Sequence, residues 1–151
     1  MDPASRGPPL RVLCVDDNRD VADSTADLLS LVGFEVRVCY SGAAALVAAV
    51  EFRPGVCLID LNMPGMDGDE LAPRLRALPG DPPLILVAVT AMSDEASTRR
   101  IREAGFDLHL VKPVDPHQLL AVVDRLWQAW QANARPSQDD AGWRGAASSG
   151  S

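Results

Sequence analysis

The feature that most restricts the fold of this chain is a repeated change in the spacing of its apolar residues. Five short runs rich in Val, Ile and Leu alternate with longer segments in which apolar residues recur every three or four positions. Short runs of this composition are typical of strands that are buried on both faces. They occupy residues 10–15, 35–40, 55–60, 84–89 and 108–111. Five strand–helix units with short links predict an α/β fold, a doubly wound parallel sheet with helices on both faces.

Capping residues mark the ends of the predicted helices. Side chains that can accept a hydrogen bond from a free backbone N–H precede the helical segments, namely Asn18, Ser41, Asp67, Ser93 and Asp115. Asp67 and Glu70 have the spacing of a capping box. Glycines follow three of the segments, at positions 33, 80 and 105. We expect the first helix to bury a stripe that contains Val21, Leu28, Leu29 and Val32, and Pro73 to bend the third helix.

The 151 residues fit one domain, which we place at residues 10–132. Residues 1–9 and 133–151 show no apolar period, and we expect a disordered N-terminal segment and a disordered tail or linker. No apolar run approaches the roughly 18 residues that a membrane span needs. The first residues also lack the basic and apolar regions of a signal peptide. A cytoplasmic location is therefore expected.

Charge and cysteine content restrict the possible partners and cofactors. The formal net charge of −7 argues against direct nucleic-acid binding, because phosphate contacts need a basic surface. Cys14, Cys39 and Cys57 are odd in number, lie in predicted strands and have no C-x-x-C spacing. We expect three buried, reduced thiols and no metal or redox centre from them.

Polar residues follow four of the predicted strands at their carboxyl ends, where ligands bind in an open parallel sheet. They are Asp16, Asp17, Asp60, Thr90 and Lys112. Three converging carboxylates repel one another, and a hard divalent cation such as Mg²⁺ would relieve that repulsion. Lys112 and the Thr90 hydroxyl could then stabilise a phosphoryl group, with Asp60 as the nucleophile. Taken alone, the Asp16–Asp17 pair could instead only cap the first helix.

The segments that carry these residues resemble the receiver domain of two-component response regulators. The similar segments are Val-Asp16-Asp17-Asn, Ile-Asp60-Leu-Asn-Met-Pro-Gly-Met-Asp-Gly, Val-Thr90-Ala and Leu-Val-Lys112-Pro113, in the order and spacing of the family. Each segment alone is a weak signal, but together they are specific. The resemblance covers about residues 10–131, and it implies a flavodoxin-like fold with strand order 2-1-3-4-5.

The resemblance also implies a set of roles. Asp60 would be phosphorylated by a histidine kinase or a histidine phosphotransfer protein. Mg²⁺ would be held by Asp17, Asp60 and the main-chain carbonyl of Asn62, with Asp16 acting through water. Thr90 and Lys112 would contact the phosphoryl group, and the Lys112–Pro113 peptide would be cis.

Two positions depart from the family pattern or tune it. The switch position three residues before the lysine usually holds Phe or Tyr, but here it is His109. An imidazole there could add pH sensitivity, although a histidine at a strand end most often faces solvent. Met92, two residues after Thr90, occupies a position that affects the dephosphorylation rate in this family. With Asn62, it should tune the phosphoryl lifetime.

Three interpretations differ in function. The first is a phospho-receiver module, stand-alone or excised from a hybrid histidine kinase or larger regulator, whose phosphorylation changes a face read by a downstream protein. That face would comprise helix 93–104, strand 108–111 and the last helix. The second is a Mg²⁺-dependent aspartyl-phosphate phosphatase, but Asn62 stands where such hydrolases usually place a second acid. The third, a nucleotide- or flavin-binding module, lacks a Gly-rich phosphate loop after the first strand.

Overall fold

The computed structural model describes residues 9–79, 84–91 and 94–132. Five strands and five helices alternate along the chain. The strands are β1 (Arg11–Val15), β2 (Glu35–Cys39), β3 (Val56–Asp60), β4 (Ile85–Thr90) and β5 (Leu108–Val111). The helices are α1 (Arg19–Leu31), α2 (Gly42–Phe52), α3 (Gly68–Arg76), α4 (Glu95–Ala104) and α5 (Pro116–Gln131). All strand pairs are parallel, and the order β2-β1-β3-β4-β5 confirms the predicted fold.

Strand burial follows position in the sheet. Every residue of the central strand β3 is buried, as expected for a strand covered on both faces. The same expectation is wrong for β2, which lies at the edge of the sheet. Glu35 and Arg37 of β2 are exposed, and only Cys39 is buried. The alternation of charged and apolar residues in β2 is therefore typical of an edge strand.

Two apolar clusters lie on opposite faces of the sheet. Cys57, Ile59 and other residues of β1 to β4 pack against α2, α3 and α4 on one face. On the other face, Leu58 and its neighbours pack against Leu29 of α1 and against Leu119 and Val123 of α5. The three cysteines are buried and unpaired with one another, as predicted. The sheet thus rests between two helical layers, and its carboxyl-end edge is left for the functional side chains.

Most of the predicted caps form. The side chains of Asn18 and Ser41 accept hydrogen bonds from the N–H groups of Val21 and Ala44, and Asp115 accepts one from His117. The predicted capping box at Asp67 is wrong. Asp67 is the N-cap of α3 but makes no side-chain cap bond, because its Oδ1 accepts a hydrogen bond from the N–H of Met63.

Gly33 and Gly105 follow α1 and α4 with φ of 102° and 96°, a backbone conformation that favours glycine. α4 begins after Asp94, whose side chain accepts a hydrogen bond from the Ser97 N–H. Pro73 lies inside α3, and the bend expected from it stays a prediction.

The predicted stripe of α1 is only partly correct. Leu29 is fully buried, but Val21 is 39% exposed and Val32 is 53% exposed. The buried face is completed by Ala22 and Ala26 instead. Small side chains let α1 approach the sheet closely, so the larger valines lie at the rim of its contact.

An ion pair with a buried carboxylate joins the end of α3 to the end of the sheet that lies opposite the acidic residues. Arg76 reaches Asp107 at 2.9 Å and also donates to the carbonyl groups of Leu84 and Gly105. Asp107, 2% exposed, accepts a further hydrogen bond from the N–H of Leu86 at 2.9 Å. These bonds join α3 to the start of β4 and to the turn before β5.

The segments predicted to be disordered, residues 1–9 and 133–151, lie outside the described residues except for Pro9. Gly80, Met92 and Ser93 also lie outside them. Among the residues that the structure describes, no helix is both long and apolar enough to cross a membrane.

Candidate functional site

The carboxyl ends of four neighbouring strands bring the predicted site residues to one edge of the sheet. Asp16 follows β1, Asp60 ends β3, Thr90 ends β4 and Lys112 follows β5. The strand register aligns these ends, because Asp60 pairs with Val89 in β4. The parallel sheet therefore assembles residues that are up to 96 positions apart in the sequence.

Asp16, Asp17 and Asp60 form an acidic cluster. Each offers a carboxylate oxygen that lies within 4.8 Å of those of the other two. Asp16 and Asp60 are buried, with 6% and 7% of their surface exposed, whereas Asp17 is exposed. Buried carboxylates side by side are unfavourable unless positive charge compensates them. Hard oxygen donors with one solvent-facing member fit Mg²⁺, which keeps several waters when it binds to protein carboxylates.

Lys112 supplies part of that compensation. Its Nζ lies 3.0 Å from Oδ2 of Asp16 and 3.5 Å from Oδ1 of Asp60. Burial opposes the charge on this ammonium group, but the hydrogen bond to Asp16 and the charge of Asp60 prevail and raise the pKa of Lys112. The lysine is therefore a fixed cation between two carboxylates. The cis Lys112–Pro113 peptide that immediately follows was also predicted.

The environment of Asp60 disfavours its ionised form. Burial, followed by the negative charge of Asp16, raises its pKa to about 6. The charge of Lys112 and a hydrogen bond from the Asn62 N–H, 3.3 Å from Oδ1, act in the opposite direction. Asp60 therefore gives up its proton less readily than an ordinary carboxyl group, and a bound cation would favour the ionised form.

The loop between β3 and α3, residues 61–67, presents Asn62 beside this carboxylate. The Gly68 N–H donates to the Leu61 carbonyl at 2.8 Å and closes the loop at its base. A Cβ at Gly68 would lie 2.7 Å from the carbonyl oxygen of Asp60 and 2.9 Å from the Cα of Leu61. Only glycine permits this approach, which explains why the motif ends in Asp67–Gly68.

Thr90 and His109 are both buried. Thr90 has no exposed surface, and its position at the end of β4 places it on the same edge as Asp60 and Lys112. The expectation that His109 faces solvent is wrong, because it is only 2% exposed. His109 aligns with Ala88, and burial lowers the pKa of its imidazole. Met92 lies outside the described residues, so its predicted tuning role stays a prediction.

Two features of the site were not predicted from the sequence. A cavity of about 660 Å³ opens beside the cluster, with Asp60 and Lys112 in its wall together with Val21 of α1 and Leu119 of α5. The partial exposure of Val21 reflects this cavity. The second feature is Arg100 of α4, which contacts the loop after β3. No sequence signal marks Arg100, because its partners lie 31 to 38 positions away.

Comparisons with known proteins agree with this geometry. Residues 12–124 match the family model of the response regulator receiver domain. The transcriptional regulatory protein PrrA of Mycobacterium leprae is 39% identical over 129 residues, covering 85% of this chain and 54% of that protein. The DNA-binding response regulator MtrA of Mycolicibacterium paratuberculosis is 37% identical over 113 residues, 75% of this chain and 49% of its own length. The chain thus spans about half the length of these curated relatives.

Solved structures show the same likeness. A putative response regulator from Chloroflexus aurantiacus is 32% identical with a TM-score of 0.73, and the match covers 80% of this chain and 98% of that one. Chemotaxis protein CheY4 of Vibrio cholerae is 27% identical with a TM-score of 0.71, covering 78% and 98%. The chain belongs to the response regulator receiver domain family of two-component systems.

Proposed function

We propose that this protein accepts a phosphoryl group on Asp60 from a phosphohistidine donor, in a Mg²⁺-dependent reaction, and thereby changes a partner-binding face. The donor would be a histidine kinase or a histidine phosphotransfer protein. The observation that carries the proposal is the position of Lys112, whose ammonium group lies between Asp16 and Asp60 at the edge of the acidic cluster. A nucleophile, a fixed cation and a set of oxygen ligands are the components that phosphoryl transfer requires.

In the proposed transfer, one carboxylate oxygen of Asp60 attacks the phosphorus atom of the donor. The P–N bond breaks, its electron pair stays with the imidazole nitrogen, and an acyl phosphate forms on Asp60. Mg²⁺, bound by Asp17, Asp60 and the Asn62 carbonyl with Asp16 acting through water, would neutralise charge on the phosphoryl oxygens. Lys112 and the Thr90 hydroxyl would contact the same oxygens. Hydrolysis of the acyl phosphate returns the carboxylate and inorganic phosphate.

The downstream partner would contact α4, β5 and α5. Thr90 joins the acceptor edge to the segment that leads into α4, so a new contact at its hydroxyl would bias the position of that helix. His109 lies buried on the adjacent strand, where the family usually places an aromatic switch residue. The partner itself is a protein of unknown identity, and we propose no direct contact between this domain and nucleic acid.

The length of the relatives supports a variant of this proposal. PrrA and MtrA are named as transcriptional and DNA-binding regulators, and this chain matches about half of each. The receiver could therefore be one part of a larger regulator or of a hybrid kinase, with the same chemistry at Asp60. A phosphatase acting on external substrates is less well supported, because Asn62 offers no second carboxylate for acid–base catalysis.

The first test is chemical modification at Asp60. The protein is incubated with acetyl phosphate and Mg²⁺, and intact mass is measured for the wild type and for Asp60→Asn. We expect a phosphoryl adduct that is acid-stable, Mg²⁺-dependent and absent from the variant. Beryllofluoride should bind with the same dependence on Mg²⁺ and Asp60. An unchanged mass and no beryllofluoride binding in a folded wild type would refute the proposal, and sustained hydrolysis of phosphomonoesters would favour the phosphatase.

A further inference from the structure

Arg100 of α4 contacts three residues at the start of α3 and in the loop before it. Its Nε and Nη2 donate to the two carboxylate oxygens of Asp69 at 2.6 and 3.1 Å. Nη2 also lies 3.4 Å from Asp67, and Nη1 lies 3.5 Å from Oδ1 of Asn62. The two-point contact is the stronger part of this set, because a guanidinium matches a carboxylate in shape and charge. Its hydrogen bonds lower the pKa of Asp69.

The contacted segment is the one that presents Asn62 to the acceptor. Besides the bond that closes the loop at Gly68, Asp67 Oδ1 accepts the N–H of Met63 at 3.3 Å. Asp67 therefore orders the loop internally with one oxygen and receives Arg100 with the other. The backbone of Arg100 belongs to α4, which buries few side chains. Its buried residues are Ser97 and Ile101. Arg100 thus joins a lightly packed helix to the loop beside Asp60.

We propose that Arg100 is a positioning residue that, through Asp69, Asp67 and Asn62, holds the β3–α3 loop in the arrangement that binds the cation. This inference rests on the proposed phosphoryl chemistry, in which the Asn62 carbonyl is a Mg²⁺ ligand. Because α4 carries the arginine, the affinity of the site depends on where α4 lies. By thermodynamic linkage, a protein that displaces α4 would weaken the binding of the cation and the phosphoryl group. These ligands would in turn weaken the binding of that protein by the same free energy.

The direction in which Mg²⁺ affinity changes when Arg100 is substituted distinguishes a positioning role from a purely electrostatic one. Removing a positive charge near an acidic site should strengthen Mg²⁺ binding, whereas loosening the loop should weaken it. A charge-neutral deletion removes the ambiguity. The double variant Arg100→Ala/Asp69→Ala deletes the two-point contact without changing net charge. Arg74→Ala/Glu70→Ala is the matched control, because it deletes an exposed i,i+4 pair at 3.2 Å on α3 and is also charge-neutral.

The experiment is a Mg²⁺ titration by isothermal calorimetry of the wild type and both double variants, with amide hydrogen exchange at Met63 and Gly68. We expect Arg100→Ala/Asp69→Ala to bind Mg²⁺ roughly tenfold more weakly, the low end of what the loss of an outer-shell partner costs. The two loop amides should exchange faster. The control should stay within about twofold of the wild type, as expected for an exposed pair. Equal affinities for the two double variants would overturn the inference.

Arg100→Lys gives a second measurement that does not depend on the double variant being folded. Lysine keeps the charge but cannot make the two-point contact with Asp69. We expect weaker Mg²⁺ binding than in the wild type, and wild-type affinity would contradict the positioning role. The proposed function is checked separately by the wild type, which must bind Mg²⁺ and become phosphorylated at Asp60. If it does so and the Arg100 variants match it, only the role of Arg100 is refuted.

Discussion

At the scale of single residues, the proposed nucleophile, Asp60, lies where ionisation is disfavoured. Asp60 is buried next to Asp16, and its pKa is raised to about 6, although Lys112 lies 3.5 Å away. A site built only for stability would not place two carboxylates around one ammonium group. A bound cation would relieve this repulsion, and the positive charges of the cation and of Lys112 would then stabilise an added phosphoryl group.

This arrangement predicts that Asp60→Asn stabilises the metal-free protein. Asp60 binds its proton more tightly in the folded state, so the folded state loses stability as pH rises from about 4 to about 6. Above that range we expect Asp60→Asn to raise the free energy of unfolding by about 1–3 kcal/mol, since one pKa unit corresponds to about 1.4 kcal/mol. The gain should shrink toward pH 4 and in millimolar Mg²⁺. Urea unfolding in EDTA and in Mg²⁺ measures both effects.

The matched control for that experiment is Asp27→Asn, which removes an exposed carboxylate from α1. It should change stability by less than about 0.5 kcal/mol, as surface substitutions usually do. If Asp60→Asn is no more stable than Asp27→Asn at pH 8 in EDTA, the site does not carry the charge repulsion described above.

At the scale of elements, the geometry of the loop beside Asp60 depends on how closely α3 approaches the end of β3. The loop of residues 61–67 is short because Gly68, the first residue of α3, sits against the backbone of Asp60 and Leu61. A side chain at this position would push the helix and the loop away from the strand. The loop geometry at Asn62 would change with it.

We therefore expect Gly68→Ala to lower the free energy of unfolding by about 1–3 kcal/mol, the usual cost of overpacking, and to weaken Mg²⁺ binding. Gly42→Ala is the comparison, because Gly42 is likewise the first residue of a helix. A Cβ there would lie 2.9 Å from both Cβ and Sδ of Met66, so it would crowd a side chain of the same loop and not the backbone of Asp60 and Leu61. Thermal unfolding and Mg²⁺ titration of both variants test this expectation. Wild-type Mg²⁺ affinity in Gly68→Ala would contradict it.

The elements also show what the sequence could and could not predict. The strands were identified correctly because β1, β3 and β4 are buried on both faces, which restricts them largely to apolar residues. The strand-end residues could be placed together because parallel strands point the same way. The exposure of Val21 and the burial of His109 were missed, since both depend on how helices cover the sheet. Arg100 was missed because tertiary packing alone brings it to its partners.

At the scale of the whole molecule, two ion-pair systems fasten the α3 side of the sheet at opposite ends. Arg100 acts at the acceptor end, and Arg76 with Asp107 acts at the other end. The two systems differ in burial, because the Asp107 side chain is 1% exposed whereas that of Asp69 is 29% exposed. The carboxylate of the Arg76–Asp107 pair is therefore shielded from solvent, whereas that of the Arg100–Asp69 pair stays partly accessible.

We expect Asp107→Ala to lower the free energy of unfolding by about 1–3 kcal/mol, because it leaves the buried Leu86 N–H without its acceptor and removes the charged partner of Arg76. Glu51→Ala, which removes an exposed partner of Arg37, should cost less than about 1 kcal/mol. Chemical denaturation of the two variants provides the measurement. Similar losses in both would show that the Arg76–Asp107 pair contributes no more than a surface one.

The edge strand β2 has a consequence for behaviour at high concentration. An uncovered strand edge is a template for pairing with another chain and for aggregation. Here Glu35 and Arg37 place opposite charges along that edge, and Arg37 is held by Glu51 at 3.3 Å. A strand added at this edge would have to lie beside these charged side chains. At the β2 edge, charge therefore disfavours strand addition, which favours discrete molecules over open-ended fibres.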